Sequence, residues 1–391
     1  MNSQELKTNF NDVYQADPDV LYFSPGRVNL LGEHTDYNGG YVFPCAISLG
    51  TWGAIRKRDD RQLKFFSGNF KKEGIITGDL DHLEYKPDAK WTNYAKGIIH
   101  YFEQNGYKID AGMDIYIWGN LPQGGSGLSS SASIEMLFCG MIEELFDYKL
   151  DDLKAIKMGV DTENKYLGLN SGILDQFIIR KGKKDHAILL NTADLNYEYV
   201  PVDLGDNALV IMNTNKPRAL VDSKYNERVK ECNEALTVFQ KDMKIDSLSE
   251  VTEADLIKHM SELDSRHLQR VRHIVFENQC CLLGKEALDN DNLQEFGRIQ
   301  NASHVSLQYD YEVSGIELDT LVHAAWKQPG VLGARMCGAG FGGSGIALVA
   351  KDKVNEFEKN VGKIYEEKIG YAPRFYTVEI VDGAHRLREE D

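Results

Sequence analysis

A glycine-rich turn that runs into a row of serines, residues 121–133, has the composition of a phosphate-binding loop. Apolar residues follow at helical spacing, at Ile134, Leu137 and Met141, so we expect the serines at a helix N-terminus. Backbone N–H groups lack partners there, and the helix dipole favours anions. Glycine lets the backbone approach a ligand, and serine hydroxyls can cap the helix or bind a metal ion held by that ligand. On this stretch alone, a plain turn with an N-cap is an open alternative.

A second candidate site lies between two predicted strands, in residues 25–41, which contain Arg27, Glu33, His34 and Asp36. Polar loops at strand ends commonly form binding sites. Two carboxylates and an imidazole suit a neutral, hydroxyl-rich ligand, because each can accept a hydrogen bond from a hydroxyl group. A metal site is not favoured, since three adjacent donors on one turn diverge and no His or Cys cluster completes a shell. A solvated hairpin loop is the alternative.

Two further carboxylates, Asp175 and Glu163, lie near turns in the middle of the chain. Asp175 precedes the apolar run Phe177-Ile178-Ile179, where an acid is either a cap or a partly buried group with a chemical role. Glu163 lies on a predicted helix, and a solvated helix face is its default interpretation. If Glu163 faces the serine loop, it can complete a magnesium shell with a serine hydroxyl, phosphate oxygens and water.

A second glycine cluster, residues 338–343, satisfies the G-x-G-x-x-G pattern of dinucleotide-binding loops. Its context does not fit, because the cluster leads into a predicted strand at residues 346–349, whereas a dinucleotide loop opens a helix. We interpret it as a sharp turn that lets the backbone approach a ligand. Neither glycine loop contains the G-x-x-x-x-G-K-[ST] pattern, which excludes a P-loop NTPase.

The elements that must position these residues change character along the chain. Strand patterns dominate near the N-terminus, and a helix is predicted at residues 91–102. From residue 221 to residue 326 the pattern is mainly helical, with caps expected at Thr252 with Asp255 and at Ser314 with Glu317. The sequence therefore predicts an N-terminal lobe at residues 1–205 and a C-terminal lobe at residues 206–391, with mixed or antiparallel sheets and helices.

Composition limits the possible functions. The chain has 391 residues, 42% of them apolar and 27% charged, as in an ordinary globular protein with room for two domains. A formal net charge of −16 offers no basic surface to nucleic acid or an anionic membrane, so a phosphate-bearing ligand must be small and held locally. The polar N-terminus and the lack of long apolar runs predict a cytoplasmic protein. Six scattered cysteines suit reduced, buried thiols.

Three stretches resemble the motifs of one enzyme family. Residues 26–40 closely resemble the galactokinase signature, residues 121–133 resemble the ATP loop of the GHMP small-molecule kinases, and residues 333–343 resemble that family's third motif. The motifs occur in the family's order, and the first is specific to the galactokinase branch. The resemblance implies an α+β fold, the two-lobed GHMP kinase fold, with the active site in the cleft between the lobes.

The resemblance also implies roles for individual residues. Arg27 and Asp175 are implied as catalytic residues that flank the reacting 1-hydroxyl of the sugar. Trp91 is implied as the aromatic residue of the adenine pocket, although a core position on its helix is the alternative. Ser131 and Glu163 are implied as ligands of Mg²⁺. The residues implied to hold the other sugar hydroxyls are Glu33, His34, Asp36, the backbone at Gly172, and Tyr225. The residues implied to wrap the phosphates of ATP are Gly124, Gly125, Ser126, Gly127, Leu128, Ser129, Ser130 and Ser131.

The implied reaction is the ATP-dependent phosphorylation of α-D-galactose at the 1-hydroxyl, giving galactose 1-phosphate and ADP, the first committed step of galactose catabolism in the Leloir pathway. The implied partners are galactose and ATP, without nucleic acid or membrane, and we expect a monomer. A kinase for N-acetylgalactosamine or another substrate of the family is one open alternative, and a non-catalytic regulator that senses sugar and ATP is another. The intact run Ser129-Ser130-Ser131-Ala132, with Arg27 and Asp175, favours catalysis.

Overall fold

The computed structural model describes residues 1–122, 127–169, 171–216 and 221–388, with residues 221–223 described by their backbone alone. Three residues predicted to bind phosphate, Gly124, Gly125 and Ser126, therefore lie outside the described residues. No helix within these ranges is long and apolar enough to cross a membrane.

The elements alternate between strands and helices up to residue 213 and become mainly helical after it. The first part contains α1 (Ser3–Tyr14), β1 (Val20–Asn29), β2 (Tyr41–Val42), β3 (Pro44–Lys57), β4 (Gln62–Ser67), β5 (Ile76–Asp79), α2 (Thr92–Gln104), β6 (Met113–Gly119), α3 (Ser130–Leu145), α4 (Asp152–Asp161) with a π-helical turn at Thr162–Tyr166, α5 (Leu174–Lys181), β7 (His186–Asn191), β8 (Tyr197–Pro201) and β9 (Asn207–Asn213). The second part contains α6 (Val221–Phe239), α7 (Glu253–His259), α8 (Ser265–Asp289), α9 (Leu293–Ser306), α10 (Gly315–Ala325), β10 (Val331–Cys337), β11 (Ser344–Ala350), α11 (Val354–Ile369), β12 (Arg374–Val378) and β13 (His385–Arg386).

Across the described residues, the strands form three sheets. The largest sheet has the order β13-β1-β3-β6-β4-β5. It is mixed, because β4 runs parallel to β6 while all other neighbouring strands of this sheet are antiparallel. A four-stranded antiparallel sheet has the order β10-β11-β9-β12, and a smaller antiparallel sheet has the order β2-β7-β8. The predicted combination of mixed and antiparallel sheets with helices is confirmed.

Each large sheet buries apolar side chains on both faces. Successive side chains of a strand point to opposite faces, so Ile115 of β6 packs into the core with α2 and α3, while the neighbouring Tyr116 packs towards Leu6 of α1. A further core joins the two large sheets, since Val28 of β1 and Ile346 of β11 belong to the same buried cluster. This shared core fixes the end of β1 against the start of β11, where the candidate site lies.

Strand β1 runs on to Asn29 and so enters residues 25–41, which were expected to lie between two strands. Residues 26–29 pair in register with residues 44–47 of β3 after a bulge between Pro25 and Gly26. The prediction that Arg27 lies in a loop is therefore wrong, because the bulge lets the strand continue through a glycine and two polar residues. Gly26 is required there, since a Cβ atom would lie 2.8 Å from the Leu128 carbonyl oxygen. Arg27 is consequently held on a rigid strand.

Of the two helix caps that were predicted in the second part, one is present and one is absent. The capping box of Thr252 with Asp255 is present at the start of α7. The expected cap at Ser314 is absent, because Ser314 makes no side-chain capping bond and Glu317 pairs with Lys216 instead. The lobe boundary between residues 205 and 206 stays a prediction. It falls just before β9, but the last strand, β13, returns to pair with β1.

Candidate active site

The three motifs line one cavity of about 790 Å³. Strand β1 and the loop after it form one wall, the first turn of α3 forms another, and the turn between β10 and β11 contributes Gly338 and Ala339. The predicted site residues on the cavity wall are Arg27, Glu33, His34, Asp36, Trp91, Ser130, Ser131, Glu163, Gly172, Asp175 and Tyr225.

An ion pair lies where the sugar-type loop meets the serine loop. The Arg27 Nε atom donates to Asp175 Oδ1 at 2.7 Å, and Arg27 Nη1 donates to the Gly127 carbonyl oxygen at 2.5 Å. The hydroxyl of Ser129 donates to the other oxygen of Asp175. Burial alone lowers the pKa of Arg27, but the charge of Asp175 offsets this and holds the pKa above its ordinary value. The pair thus joins β1, α5 and the serine loop.

The serine row begins α3 as predicted, but Ser129 does not cap the helix. Ser129 has a left-handed backbone with φ of 58°, and its side chain makes no capping bond because it binds Asp175. The side chain of Leu128 is buried in the core, so only its backbone could face a phosphate. Ser130 and Ser131 lie in the first turn and face the cavity. Their position leaves the helix N-terminus available to an anion.

A buried cluster around Arg335 holds the loop after β1 in place. Arg335 of β10 is fully buried and donates to Glu33 Oε2 at 2.8 Å and to Glu277 Oε1 at 3.1 Å. Burial lowers the pKa of Arg335, but the two carboxylates offset this and hold the pKa above its ordinary value. Asn29 Nδ2 donates to Glu33 Oε2 at 2.7 Å, and the Gly338 N–H donates to Oε1 at 2.6 Å. We call these five residues the Arg335 cluster.

Hydrogen bonds within the protein therefore occupy most of the acceptor positions of Glu33. An ionised carboxylate offers about four acceptor positions. The cluster uses one on Oε1 and two on Oε2, which leaves a position on Oε1 for a ligand. Because Glu33 lines the cavity, this remaining position can accept from a ligand hydroxyl.

Asp36 and Gly172 form a close pair on the same wall. A Cβ atom at position 172 would overlap Asp36 Oδ2, so glycine alone lets the carboxylate approach the backbone. Burial and then the negative charge of Asp175 raise the pKa of Asp36 to about 6. Backbone N–H groups of Tyr37 and Asp36 offset only part of this effect, so the ionised carboxylate would be stabilised by a further donor from a hydroxyl-bearing ligand.

The donors next to the serine loop fit Mg²⁺. Ser131 and Glu163 line the same cavity, and Gln176 orients Glu163 by donating from Nε2 to Glu163 Oε2 at 3.1 Å and to Glu135 Oε2 at 2.8 Å. Hydroxyl and carboxylate oxygens are the ligands Mg²⁺ prefers, and it usually keeps waters and substrate phosphates as well. No group of three His, Cys, Asp or Glu residues forms a metal site of its own in the described part of the chain.

Trp91 fits both of its predicted roles. Its ring packs edge-on against Phe65 with centroids 5.9 Å apart, and it also lines the cavity beside Tyr94. The buried indole Nε1–H has no hydrogen-bond partner among the described residues. A buried donor without a partner is uncommon, and a ligand atom would satisfy it.

Comparison with known proteins decides the family. The model of the galactokinase galactose-binding signature matches residues 8–57, that of the GHMP kinases N terminal domain matches residues 93–183, and that of the GHMP kinases C terminal matches residues 285–367. The galactokinase of Ligilactobacillus salivarius is 55% identical over 389 residues, which cover 99% of this chain and 100% of that protein. The chain belongs to the galactokinase family.

Further members of the galactokinase family are similar to this chain over nearly its whole length. The galactokinase of Streptococcus mutans is 56% identical over 99% of each chain. The crystal structure of Lactococcus lactis galactokinase complexed with galactose has a TM-score of 0.94 and 48% identity, covering 98% of this chain and 99% of that one. A mevalonate kinase structure has a TM-score of 0.67 at 20% identity, and this likeness concerns the fold alone. The predicted GHMP kinase fold is confirmed, and the chain is a kinase of this family.

Several residues of the site were not identified from the sequence. Asn29, Arg335 and Glu277 position Glu33, and Gln176 positions Glu163. One signal was visible for Arg335, because a charged residue stands in the middle of the apolar strand that precedes the glycine cluster. Glu277 and Gln176 lie on helices, where polar residues are ordinary, so their burial required the structure.

The Arg335 cluster predicts a large stability effect at Glu33. In Glu33→Gln the new amide must place its NH₂ group against the Gly338 N–H or against the donors of Asn29 and Arg335. It also removes one of two charges that neutralise the arginine, and breaking a buried pair costs about 3–5 kcal/mol. We expect a loss of that size in the free energy of unfolding from urea denaturation. The exposed Glu367, paired with Lys363, gives the control Glu367→Gln, for which we expect no measurable change. A loss at Glu33 no larger than the control's would contradict the assignment.

Asp36 predicts a pH-dependent gain in stability. The pKa of Asp36 in the folded state lies above the ordinary value of an aspartate. Its contribution to the free energy of unfolding is therefore fully present at pH values below the ordinary pKa and is lost as the pH rises through about 6. Asp36→Asn cannot ionise, and we expect it to be more stable than the natural chain by roughly 1–3 kcal/mol at about pH 7.5. The difference should shrink towards about pH 5, where Asp36 is protonated in the fold. Urea denaturation at both pH values measures it, and a gain independent of pH would contradict the electrostatic cause.

Proposed function

We propose that this galactokinase-family chain transfers the γ-phosphoryl group of ATP to the 1-hydroxyl of α-D-galactose, giving galactose 1-phosphate and ADP. One observation supports this most directly. Asp175 lies where the cavity wall formed by Glu33, His34 and Asp36 meets the N-terminus of α3, and its two oxygens bind Arg27 and Ser129. A hydroxyl-binding surface and an anion-binding helix end therefore meet at one paired carboxylate.

The proposed roles follow from this geometry. Phosphoryl transfer passes through a loose transition state that needs alignment and charge neutralisation more than covalent chemistry. Arg27 stabilises negative charge on the transferring group, since its Nη1 atom already reaches Gly127 in the phosphate loop. Asp175 orients the 1-hydroxyl and receives its proton as the oxygen–phosphorus bond forms. Because Asp175 is already paired with Arg27, orientation is its main role and proton transfer comes late.

Other residues bind and orient the substrates in this proposal. The residues that hold the remaining sugar hydroxyls are Glu33, His34, Asp36, Tyr225 and the backbone at Gly172, which lies beside Asp36. Trp91, which lines the cavity, contacts the adenine ring. Ser131 and Glu163 would hold Mg²⁺, which when bound supplies positive charge to the phosphates of ATP.

The cavity gives some support to a second substrate. Ser171, Gly172, Tyr225 and Asn226 also line a neighbouring cavity of about 960 Å³ that contains Asn233. A sugar with a larger substituent, such as N-acetylgalactosamine, would find room and polar partners on this side. No structural observation favours a purely regulatory role. The cytoplasmic location and the monomeric state stay predictions.

A panel of acceptors tests the proposed function. We expect ADP release from ATP and Mg²⁺ to be fastest with galactose when galactose, N-acetylgalactosamine, glucose, mevalonate and homoserine are compared in a coupled assay. The physical reason is that the acceptor wall is built from carboxylates that accept from hydroxyl groups, while Arg27, a basic residue on this wall, is already paired with Asp175. A higher kcat/KM for N-acetylgalactosamine would favour the second substrate, and no turnover with any acceptor would contradict the proposal.

Replacement of Asp175 tests its assigned role. Asp175→Asn keeps the shape of the side chain but removes the charge that pairs with Arg27 and the carboxylate that orients the hydroxyl and receives its proton, so we expect turnover to fall about a hundredfold or more while ATP binding is retained. Stopped-flow or coupled assays measure turnover, and calorimetry measures ATP affinity. The matched control is Asp152→Asn, which disrupts an ion pair with Arg180 and Lys181 outside the cavity. Turnover of Asp175→Asn close to that of the control would sink the assignment.

A further inference from the structure

The π-helical turn at Thr162–Tyr166 presents two adjacent polar side chains to different cavities. The Leu167 N–H bonds to the Thr162 carbonyl oxygen at 2.9 Å, five residues back, so this turn holds one residue more than an α-helical turn. Glu163 lies on the wall of the active-site cavity, whereas Asn164 lies on the wall of the neighbouring cavity of about 960 Å³. Turns of this kind frequently occur at functional sites. Binding of Mg²⁺ explains the position of Glu163 but not that of Asn164.

The side-chain amide of Asn164 pairs with the backbone of Ser171. Asn164 Oδ1 accepts from the Ser171 N–H at 2.8 Å, and Asn164 Nδ2 donates to the Ser171 carbonyl oxygen at 3.0 Å. The Ser171 hydroxyl also donates to Oδ1, at 3.2 Å. An amide carries a donor and an acceptor side by side, so it can pair with both polar groups of one residue's backbone, which an ionised carboxylate cannot do. The amide therefore fixes both the position and the orientation of the Ser171 backbone.

Ser171 immediately precedes Gly172, whose backbone lies against Asp36. A Cβ atom at position 172 would overlap Asp36 Oδ2, so this approach leaves room for nothing larger than a hydrogen atom. Ser171 and Gly172 both border the active-site cavity. The peptide that joins them is planar and rigid, so a displacement of the Ser171 backbone would move Gly172 as well. The amide of Asn164 thus controls the geometry of the cavity wall from behind it.

We propose that Asn164 is a positioning residue that holds the backbone of Ser171 and Gly172 against Asp36 and so sets the acceptor side of the cavity. Its neighbour Glu163 serves the phosphate side. One π-helical turn thereby supports both halves of the site through adjacent side chains with separate roles. Asn164 acts through Gly172 and does not need to touch a substrate. The inference rests on the proposed function only for the identity of the acceptor as galactose and of the metal as Mg²⁺.

Hydrogen exchange in the whole protein tests the pairing without any substrate. In the natural protein the Ser171 N–H should be protected, and in Asn164→Ala it loses its acceptor, so we expect exchange about tenfold faster or more by NMR. Ser171→Ala keeps both bonds between the amide and the backbone, so exchange of this N–H should stay close to the natural rate. An unprotected Ser171 N–H in the natural protein, or an unchanged rate in Asn164→Ala, would overturn the inference.

Galactose binding, measured by calorimetry without ATP or metal, tests the effect on the cavity. We expect Asn164→Ala to bind galactose about tenfold more weakly, and its KM to rise by a similar factor with kcat nearly unchanged. The matched control is Asn69→Ala, because the Asn69 amide pairs in the same way with the backbone N–H and carbonyl oxygen of Gly119, both at 2.8 Å. The control should keep its galactose affinity. Equal weakening in the two variants would contradict the inference.

Glu163→Gln separates the two roles of the turn. This variant loses the charge next to the serine loop, so we expect it to need more Mg²⁺ for half-maximal activity while it binds galactose normally without metal. Asn164→Ala should show the opposite pattern, with weaker galactose binding and an unchanged requirement for Mg²⁺. An equal loss of galactose affinity in both variants would overturn the inference, because the turn would then act as a single structural unit.

The outcomes distinguish this inference from the proposed function. If galactose neither binds nor reacts, the proposed function fails. The exchange rate of the Ser171 N–H and the position of the Gly172 amide resonance in Asn164→Ala still decide whether Asn164 holds this segment. If galactose is phosphorylated but its KM and affinity are the same in Asn164→Ala as in the natural protein, the proposed function stands and the inference fails.

Discussion

The buried guanidinium of Arg335 is the interaction on which the cavity depends most. It lies between Glu33 and Glu277 with no exposed surface, and each carboxylate also accepts hydrogen bonds from neighbouring groups. Burying charges is costly unless they are paired and hydrogen-bonded, so the cluster stabilises one arrangement and penalises others strongly. Because Glu33 is on the loop after β1, Glu277 is on α8 and Arg335 is on β10, this arrangement fixes the loop against the second part of the chain. Charged groups of the protein itself thus hold the hydroxyl-binding wall in place, so its position does not depend on a bound ligand.

The cavity also depends on the backbone conformation of its three motifs. Among the described residues, each of the three motifs contains one residue other than glycine with a left-handed backbone, namely His34, Ser129 and Phe341. Such conformations are costly and persist where surrounding structure determines them, often at functional sites. At Ser129 the conformation turns the hydroxyl away from the helix and towards Asp175. The anion-binding N–H groups of α3 are left uncapped as a result, while the hydroxyl helps to hold the carboxylate that faces the acceptor.

Much of the site was predictable from the sequence because its residues occur in three short motifs. The strand-to-helix transition at the serine loop follows from local periodicity, and the pattern of Glu33, His34 and Asp36 indicates a hydroxyl ligand from chemistry alone. Local sequence patterns do not show which side chains form hydrogen bonds within the protein and are therefore unavailable to a ligand. The sequence could not show that Glu33 is largely engaged by Arg335, or that Ser129 binds Asp175, because those partners are distant in the chain. The helical Gln176 was equally hidden, since its role depends on α5 packing beside Glu163.

We propose that one cavity aligns the anomeric hydroxyl of galactose with the terminal phosphate of ATP beside Asp175. Phosphorus and carbon NMR of a reaction with galactose, ATP and Mg²⁺ tests this most directly, because the couplings identify both the phosphorylated oxygen and its stereochemistry. We expect a single sugar product, α-galactose 1-phosphate, formed in equal amount with ADP. Phosphate on any other hydroxyl, or ADP formed without a sugar phosphate, would contradict it.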